Sequence, residues 1–209
     1  MSNIIYFDKR KKGDTMCREF ITELRSKNRK IEDMPDRAQD ILRYFGINKQ
    51  CTEIPIVDIL NDIGFKIFQT ELEPEGLSAY IAIDPQYEEV YDSNKITCVN
   101  LTDSIGHKRF ALAHELAHYL FDFDEKNILY YYNTYFLKEN SDSPEEERAN
   151  KFAANLLLPE DIFRIKYNEC RNMQSKADIV STMSKTFMVS PTAILKRFKE
   201  LDIVGYDAI

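Results

Sequence analysis

At 209 residues, with 44% hydrophobic and 30% charged side chains, the chain has room for one cored domain, or one domain and a small appendage, and its composition excludes a disordered polymer. A formal net charge of −7 argues against a surface coated in basic residues for gripping nucleic acid. The four cysteines (Cys17, Cys51, Cys98 and Cys170) form no CxxC pair, so buried thiols in a reduced, cytoplasmic protein are expected, not a disulfide framework.

The charge is uneven. Residues 1–30 carry nine Lys/Arg against four Asp/Glu and read as a basic, solvated N-terminal leader, polar but helical from about residue 14. The first residues lack the apolar run and small-residue cleavage site of a signal peptide. After the break at Asp33-Met34-Pro35-Asp36, a helix capped by Asp36 carries Ala38, Ile41, Leu42 and Phe45 and closes at Gly46. Pro55 opens a second, presenting Ile56, Val57, Ile59, Leu60 and Ile63 and stopping at Gly64.

The period then changes to two. Phe65–Gln69 and Leu77–Ile83 alternate, with Glu73-Pro74-Glu75-Gly76 as the turn between them. Val90-Tyr91 and Ile96–Asn100 read as further short strands around Asp92-Ser93-Asn94. A small, mostly antiparallel sheet is therefore expected directly before a helix that Asp103 or Ser104 caps and that runs to about Asp122. Although Phe110 to Phe123 is the longest apolar region, His114, Glu115, His118 and Asp122 interrupt it, so it is unfit to span a bilayer. Residues 124–143, rich in tyrosine, read as a loop or short hairpin. Pro144 then suits a helical first turn, with Glu145, Glu146 and Glu147 near its positive end, and this helix stops before Pro159. The last fifty residues are helical.

The chemistry concentrates in His114-Glu115-Leu116-Ala117-His118. Residues four apart share a helix face, so both histidines can point at one metal ion, each through a neutral imidazole nitrogen at roughly 2.0–2.1 Å. Glu115 is offset and can reach a water on zinc, whose pKa the ion lowers, taking its proton and passing it to a leaving amine. With three histidines in the chain, a chance HExxH has a likelihood on the order of half a percent. Two histidines inside the apolar stripe Phe110, Leu112, Leu116, Leu120 and Phe121 would also be a poor core choice without a charge partner or metal.

A catalytic zinc usually takes three protein ligands and keeps one open position. His107 lies too far along the axis, about 10 Å at 1.5 Å per residue, and is a candidate for substrate or oxyanion contact instead. The same candidacy extends to Tyr130, Tyr131, Tyr132 and Tyr135. An HExxHxxGxxH pattern is absent, since Phe121 and Asp124 stand at its glycine and histidine positions. The third ligand is therefore expected from Glu145, Glu146 or Glu147, with Asp124 as the lesser choice.

Lys108 to Leu120 (KRFALAHELAHYL), followed by Glu146 to Pro159 (EERANKFAANLLLP), resembles the ImmA/IrrE family of metallopeptidases. The likeness covers residues 50–165 well. It implies a zincin-like α+β domain in which the glutamate of E-x-x-A-N-x-F-A completes a His-His-Glu zinc site. Matched residue by residue, that glutamate is Glu146, with Glu147 next if the register slips by one. Asn150, one turn on, could then hold a ligand by an outer hydrogen bond. Arg148 stands where many relatives carry an acid or amide. The resemblance further implies cleavage of a helix-turn-helix transcriptional repressor as the biological setting.

Ala177–Val180 through Phe187–Phe198 reads as two helices about a short turn, with Ser190 capping the second and Lys196, Arg197 and Lys199 on it. This helix-turn-helix pattern lacks its usual turn glycine, and the chain is acidic, so docking on the catalytic domain or the substrate is favoured over DNA binding. The expected organisation is a leader (1–30), a zincin-like metallopeptidase domain (31–168) with its small sheet packed on the HExxH helix, and a helical C-terminal appendage (169–209). The expected function is a zinc endopeptidase with His114, His118 and Glu146 as ligands and Glu115 as base. The rival is a non-catalytic regulator on the same scaffold that sequesters a repressor or senses metal.

Overall fold

The computed structural model describes residues 5–6, 15–27, 29–73, 76–123, 143–173 and 175–203. Helix α1 (Thr15–Ser26) buries Cys17, Ile21 and Leu24, spaced one helical turn apart, and packs on later helices despite its polar composition. A 3-10 turn, Ile31–Asp33, leads into α2 (Met34–Tyr44), which buries Met34, Ala38, Ile41 and Leu42. Asp36 lies inside the first turn of α2 and so does not cap it; Pro35 occupies that turn as well, where its missing N–H costs nothing. Helix α3 (Ile56–Ile63) ends at Gly64, whose left-handed φ of 104° suits glycine.

Strands β1 (Ile5–Tyr6), β2 (Lys66–Thr70), β3 (Ala79–Ile83) and β4 (Lys95–Asn100) form a sheet in the order β1-β2-β4-β3. Two pairings are antiparallel and one, β2 with β4, is parallel. So β2 and β3 are not the hairpin expected from the turn between them; β4 lies in the middle. Its residues Ile96, Thr97, Cys98 and Val99 are all buried, as a strand covered on both faces requires.

Val90-Tyr91 is not a strand. Tyr87–Tyr91 forms a short helix, α4, started by Asp84, whose Oδ1 accepts from the Gln86 N–H at 2.8 Å, and ended by Asp92 at φ 54°. Helical spacing sends Tyr87 and Tyr91 together onto Phe68 and Ile96 on the outer sheet face, while Val90 stays 70% exposed.

The inner sheet face, with Ile67, Ala79, Ile81 and Val99, meets helix α5 (Ile105–Phe121). Behind α5 come α6 (Pro144–Leu157), α7 (Glu160–Cys170), α8 (Lys176–Phe187) and α9 (Pro191–Glu200). One apolar cluster runs from Cys17 through Leu116 and Phe152 to Ile203, so the N-terminal helix and the C-terminal hairpin both add to the core beside α5. Met188 adopts the left-handed conformation (φ 52°) at the α8–α9 turn where glycine is customary. Its carbonyl accepts a 3.0 Å bond from Arg109 of α5, which also donates to Ile54 O at 2.7 Å. Arg197 turns inward and is buried, donating to Leu158 O and Asn155 Oδ1, while Lys196 and Lys199 remain exposed. The basic face that would approach DNA is thus partly consumed in docking. No helix among the described residues is long and apolar enough to cross a membrane.

Candidate metal centre

Helix α5 begins where Ser104 accepts the His107 N–H (3.3 Å), and α6 begins where Ser143 accepts the Glu146 N–H (3.2 Å) with Pro144 in the first turn. These caps set the phase of each helix. Fully or nearly fully buried alanines (Ala113 and Ala117 on α5, Ala149 and Ala153 on α6) leave room for close approach, and Phe121 meets Phe152 edge to face at 5.3 Å between centroids. Packed so, α5 presents His114 and His118 and α6 presents Glu146 to one point.

The Nε2 atoms of His114 and His118 are 2.9 Å apart. Glu146 Oε2 is 3.2 Å from His114 Nε2, and Oε1 is 3.1 Å from His118 Nε2. Ligand atoms of all three residues lie within 4.8 Å of one another, and this is the one such cluster among the described residues. Glu145 and Glu147 are exposed, whereas Glu146 is buried. Each imidazole is held from behind: His118 Nδ1 is 2.7 Å from Asp122 Oδ2, and His114 Nδ1 is 3.2 Å from Asn150 Oδ1. Both partners are acceptors, so each Nδ1 carries a proton and Nε2 is the ring atom each histidine has left for a metal.

That inward set fits a metal. Two imidazole Nε2 atoms and a carboxylate crowd one point, and Glu146 Oε1 is buried with no polar partner but the His118 nitrogen 3.1 Å away. Shared protons relieve only part of this repulsion, whereas a dication satisfies all three donors. The charges respond accordingly. Burial opposes protonation of His118, yet Asp122 and Glu146 raise its pKa to about 9. Glu146 is driven down to about 2, the pull of His114 and His118 outweighing its own burial.

Glu115 follows His114 in the chain and belongs to neither set of ligand atoms. Its side chain is half-buried with the carboxyl end enclosed, and desolvation pushes its pKa up, against the pull of His114 and His118. The Ile81 backbone on β3 hydrogen-bonds it. His107 stays outside the cluster, 55% exposed, with Nε2 3.1 Å from Ser78 Oγ. Asp124 and the tyrosines 130, 131, 132 and 135 lie outside the described residues.

Sequence reasoning missed two participants. Asp122 was visible only as an interruption of an apolar run, although it stands one turn after His118, the spacing at which a carboxylate can back a ligand. Arg148 was visible only as a departure from relatives; it pairs with Asp122 Oδ1.

Compared with curated protein sequences, the chain matches none. Among solved structures it is similar in fold to a Mycobacterium tuberculosis transcriptional regulator, with a TM-score of 0.54 and 18% identity over 91% of this chain. The chain spans 54% of that protein's length. The peptidase M78 family model, described as an IrrE N-terminal-like domain, matches residues 61–199, from the end of α3 into α9. That span contains the α5–α6 pair, the convergent histidines and glutamate, and the docked hairpin in one zincin-like α+β fold, and the chain belongs to the M78 peptidase family.

Proposed function

We propose that the chain is a zinc-dependent endopeptidase in which His114, His118 and Glu146 hold the zinc, Glu115 is the general base, and the substrate is a helix-turn-helix transcriptional repressor. The observation that carries this reading is the convergence of the two Nε2 atoms and the Glu146 carboxylate beside an enclosed Glu115. Zinc there would supply Lewis acidity, polarising a scissile carbonyl and easing deprotonation of a water. Glu115 accepts the proton of the attacking water on a carboxylate oxygen and delivers it to the departing amine nitrogen. A carboxyl whose pKa is pushed up by burial suits that double duty near neutral pH. Asn150 and Asp122 keep the His114 and His118 rings from turning. The repressor as substrate is supported by the resemblance to ImmA/IrrE proteins.

A second reading has one specific observation in its favour: a solved structure of similar fold is that of a transcriptional regulator. On that reading the chain sequesters a repressor, or senses metal, without cutting. Glu115 separates the two, because a purely structural metal site has no use for a base. The experiment incubates wild type and Glu115→Gln, each with its zinc content measured, with any helix-turn-helix repressor that sequencing finds encoded beside the gene. General acid–base groups contribute about 10²–10⁴-fold, so cleavage should fall by at least that order while zinc is retained. Equal cleavage would remove Glu115 as the base. If neither protein cleaves but both bind and silence the repressor, the regulator reading replaces the peptidase.

A further inference from the structure

Asp122 and Arg148 lie outside the three-residue cluster, yet both are drawn to it. One Asp122 oxygen holds His118 Nδ1 at 2.7 Å, and the other accepts from Arg148 Nη2. Arg148 is two residues beyond Glu146 on α6, so a single helix supplies one candidate ligand and the brace for the ligand opposite. Arg148 Nη1 also donates to the Arg29 carbonyl at 3.3 Å. Arg29 and Arg25, from the N-terminal segment, donate in turn to the carbonyls of Phe121 and Phe123, each at 2.7 Å. Carbonyls at a helix C-terminus lack intrahelical partners and carry the negative end of the dipole. Three arginines therefore grip the end of α5 one turn past His118. The side chains of His118, Asp122 and Arg148 are 6%, 16% and 13% exposed, so solvent screens the chain of contacts little.

We propose that Arg148 is a positioning residue of the metal centre: through Asp122 it fixes the His118 ring with Nε2 aimed at the ion, and Arg29 holds that arrangement against the end of α5. This rests on the reading that His114, His118 and Glu146 bind a metal. The arginine directs one carboxylate oxygen, leaving the other aligned on Nδ1; without it the carboxylate and the ring behind it can rotate together. Outer partners of ligating histidines commonly contribute about 10–100-fold in metal affinity. An arginine serving only to tie α6 to α5 would change stability and leave both affinity and ring order alone.

The test uses the full chain. Zinc affinity is measured by competition with a chelating indicator, and the Nδ1–H proton of His118 is followed by NMR in metal-free protein. Arg148→Ala and Asp122→Asn should each weaken zinc about tenfold or more, and the double variant no more than the worse single one, because both act through one path. Arg148→Lys should recover part of the loss. The Nδ1–H resonance, slowly exchanging in wild type, should broaden in Arg148→Ala. Arg164→Ala, whose arginine contacts Glu160 and Leu201 and none of these residues, serves as the control and should bind zinc as wild type does. Wild-type affinity with an unchanged resonance in Arg148→Ala overturns the proposal, as does full additivity in the double variant. Should Arg148→Ala not fold, Asp122→Asn binding zinc within twofold of wild type overturns it instead. A wild type that takes up no zinc defeats the metal-centre reading, and the His118 resonance then decides the positioning role by itself.

Discussion

A Cβ built on Gly106 would stand 2.6 Å from the carbonyl carbon of Val189 and 2.7 Å from the Ser190 nitrogen. The first turn of the HExxH helix therefore lies directly on the backbone of the α8–α9 turn, and only hydrogen fits between them. Arg109, one turn further along α5, fastens the same turn through the Met188 carbonyl. The hairpin is seated by backbone contact on the helix that carries both histidines.

Gly106→Ala sets two effects against each other. Alanine gains about 0.8–1 kcal/mol of helix propensity over glycine. Overpacking against a backbone that cannot swing aside costs about 1–3 kcal/mol. The clash should win, and the urea midpoint should fall with an unchanged slope. A midpoint equal to or above wild type would show that the hairpin is not seated as described.

The three convergent side chains should bind about one zinc per chain, the loading of a single three-ligand site. Glu146→Ala should lose that zinc, as should His114→Ala and His118→Ala. Glu145→Ala and Glu147→Ala, which alter exposed carboxylates, should retain it. Metal analysis after dialysis reads the outcome directly. Retention by Glu146→Ala with loss in Glu147→Ala would move the third ligand by one residue.

Zinc uptake should release close to one proton at pH 7. In the metal-free protein His118 titrates at about 9, above its ordinary 6.5, so it is protonated at neutrality and must lose that proton to ligate. Calorimetry in two buffers of different ionisation enthalpy gives the count, and affinity should climb with pH until about 9. The sign for stability is the reverse. The raised His118 pKa contributes stability that is fully present below 6.5 and is lost as pH rises through about 9. Glu146, lowered from 4.5 to about 2, contributes stability present above 4.5 and lost as pH falls through 2. Metal-free protein should therefore draw most from this pair between about pH 4.5 and 6.5. No proton release on binding would contradict a protonated His118.

How far the sequence spoke depended on range. The pair His114 and His118 is local, set by one helical turn, and so was legible. Glu146 was singled out by the family resemblance, the residues alone leaving Glu145, Glu146 and Glu147 open; in the fold, Ser143 and Pro144 fix where α6 starts and hence which of the three faces in. Strand order was not legible, since whether β4 inserts between β2 and β3 is decided by long-range pairing; the cue was the run Ile96–Val99, in which Thr97 is the single polar residue. Val90-Tyr91 misled because β-branched and aromatic residues favour strands by propensity, while here Tyr87 and Tyr91 pack better at helical spacing on Phe68. The burial of α1 was hidden by its charge, because Arg25 and Arg29 are used to cap another helix and are not simply solvated.

Arg197 tests whether α9 is a docked structural helix. Its side chain is almost wholly buried, 2% exposed as a residue, and it donates at 3.0 Å to the Leu158 carbonyl and at 2.9 Å to Asn155 Oδ1, with Glu200 as its ionic partner at 2.6 Å. Truncating it leaves those acceptors without their donor and the partly exposed Glu200 without one of its two cations; breaking a fully buried pair costs on the order of 3–5 kcal/mol. Glu200 retains Lys151, which also pairs with it, so the lower end of that range is expected. Lys196 and Lys199, on the exposed face of the same helix, should each cost no more than about 0.5 kcal/mol on replacement by alanine. Urea unfolding of the three variants measures the contrast. If α9 instead served as a free recognition helix, Arg197→Ala would leave stability near wild type, and the same three substitutions would weaken binding to duplex DNA in a salt-dependent manner. A large stability loss confined to Arg197, with no DNA affinity to lose in any variant, is the outcome the buried guanidinium requires.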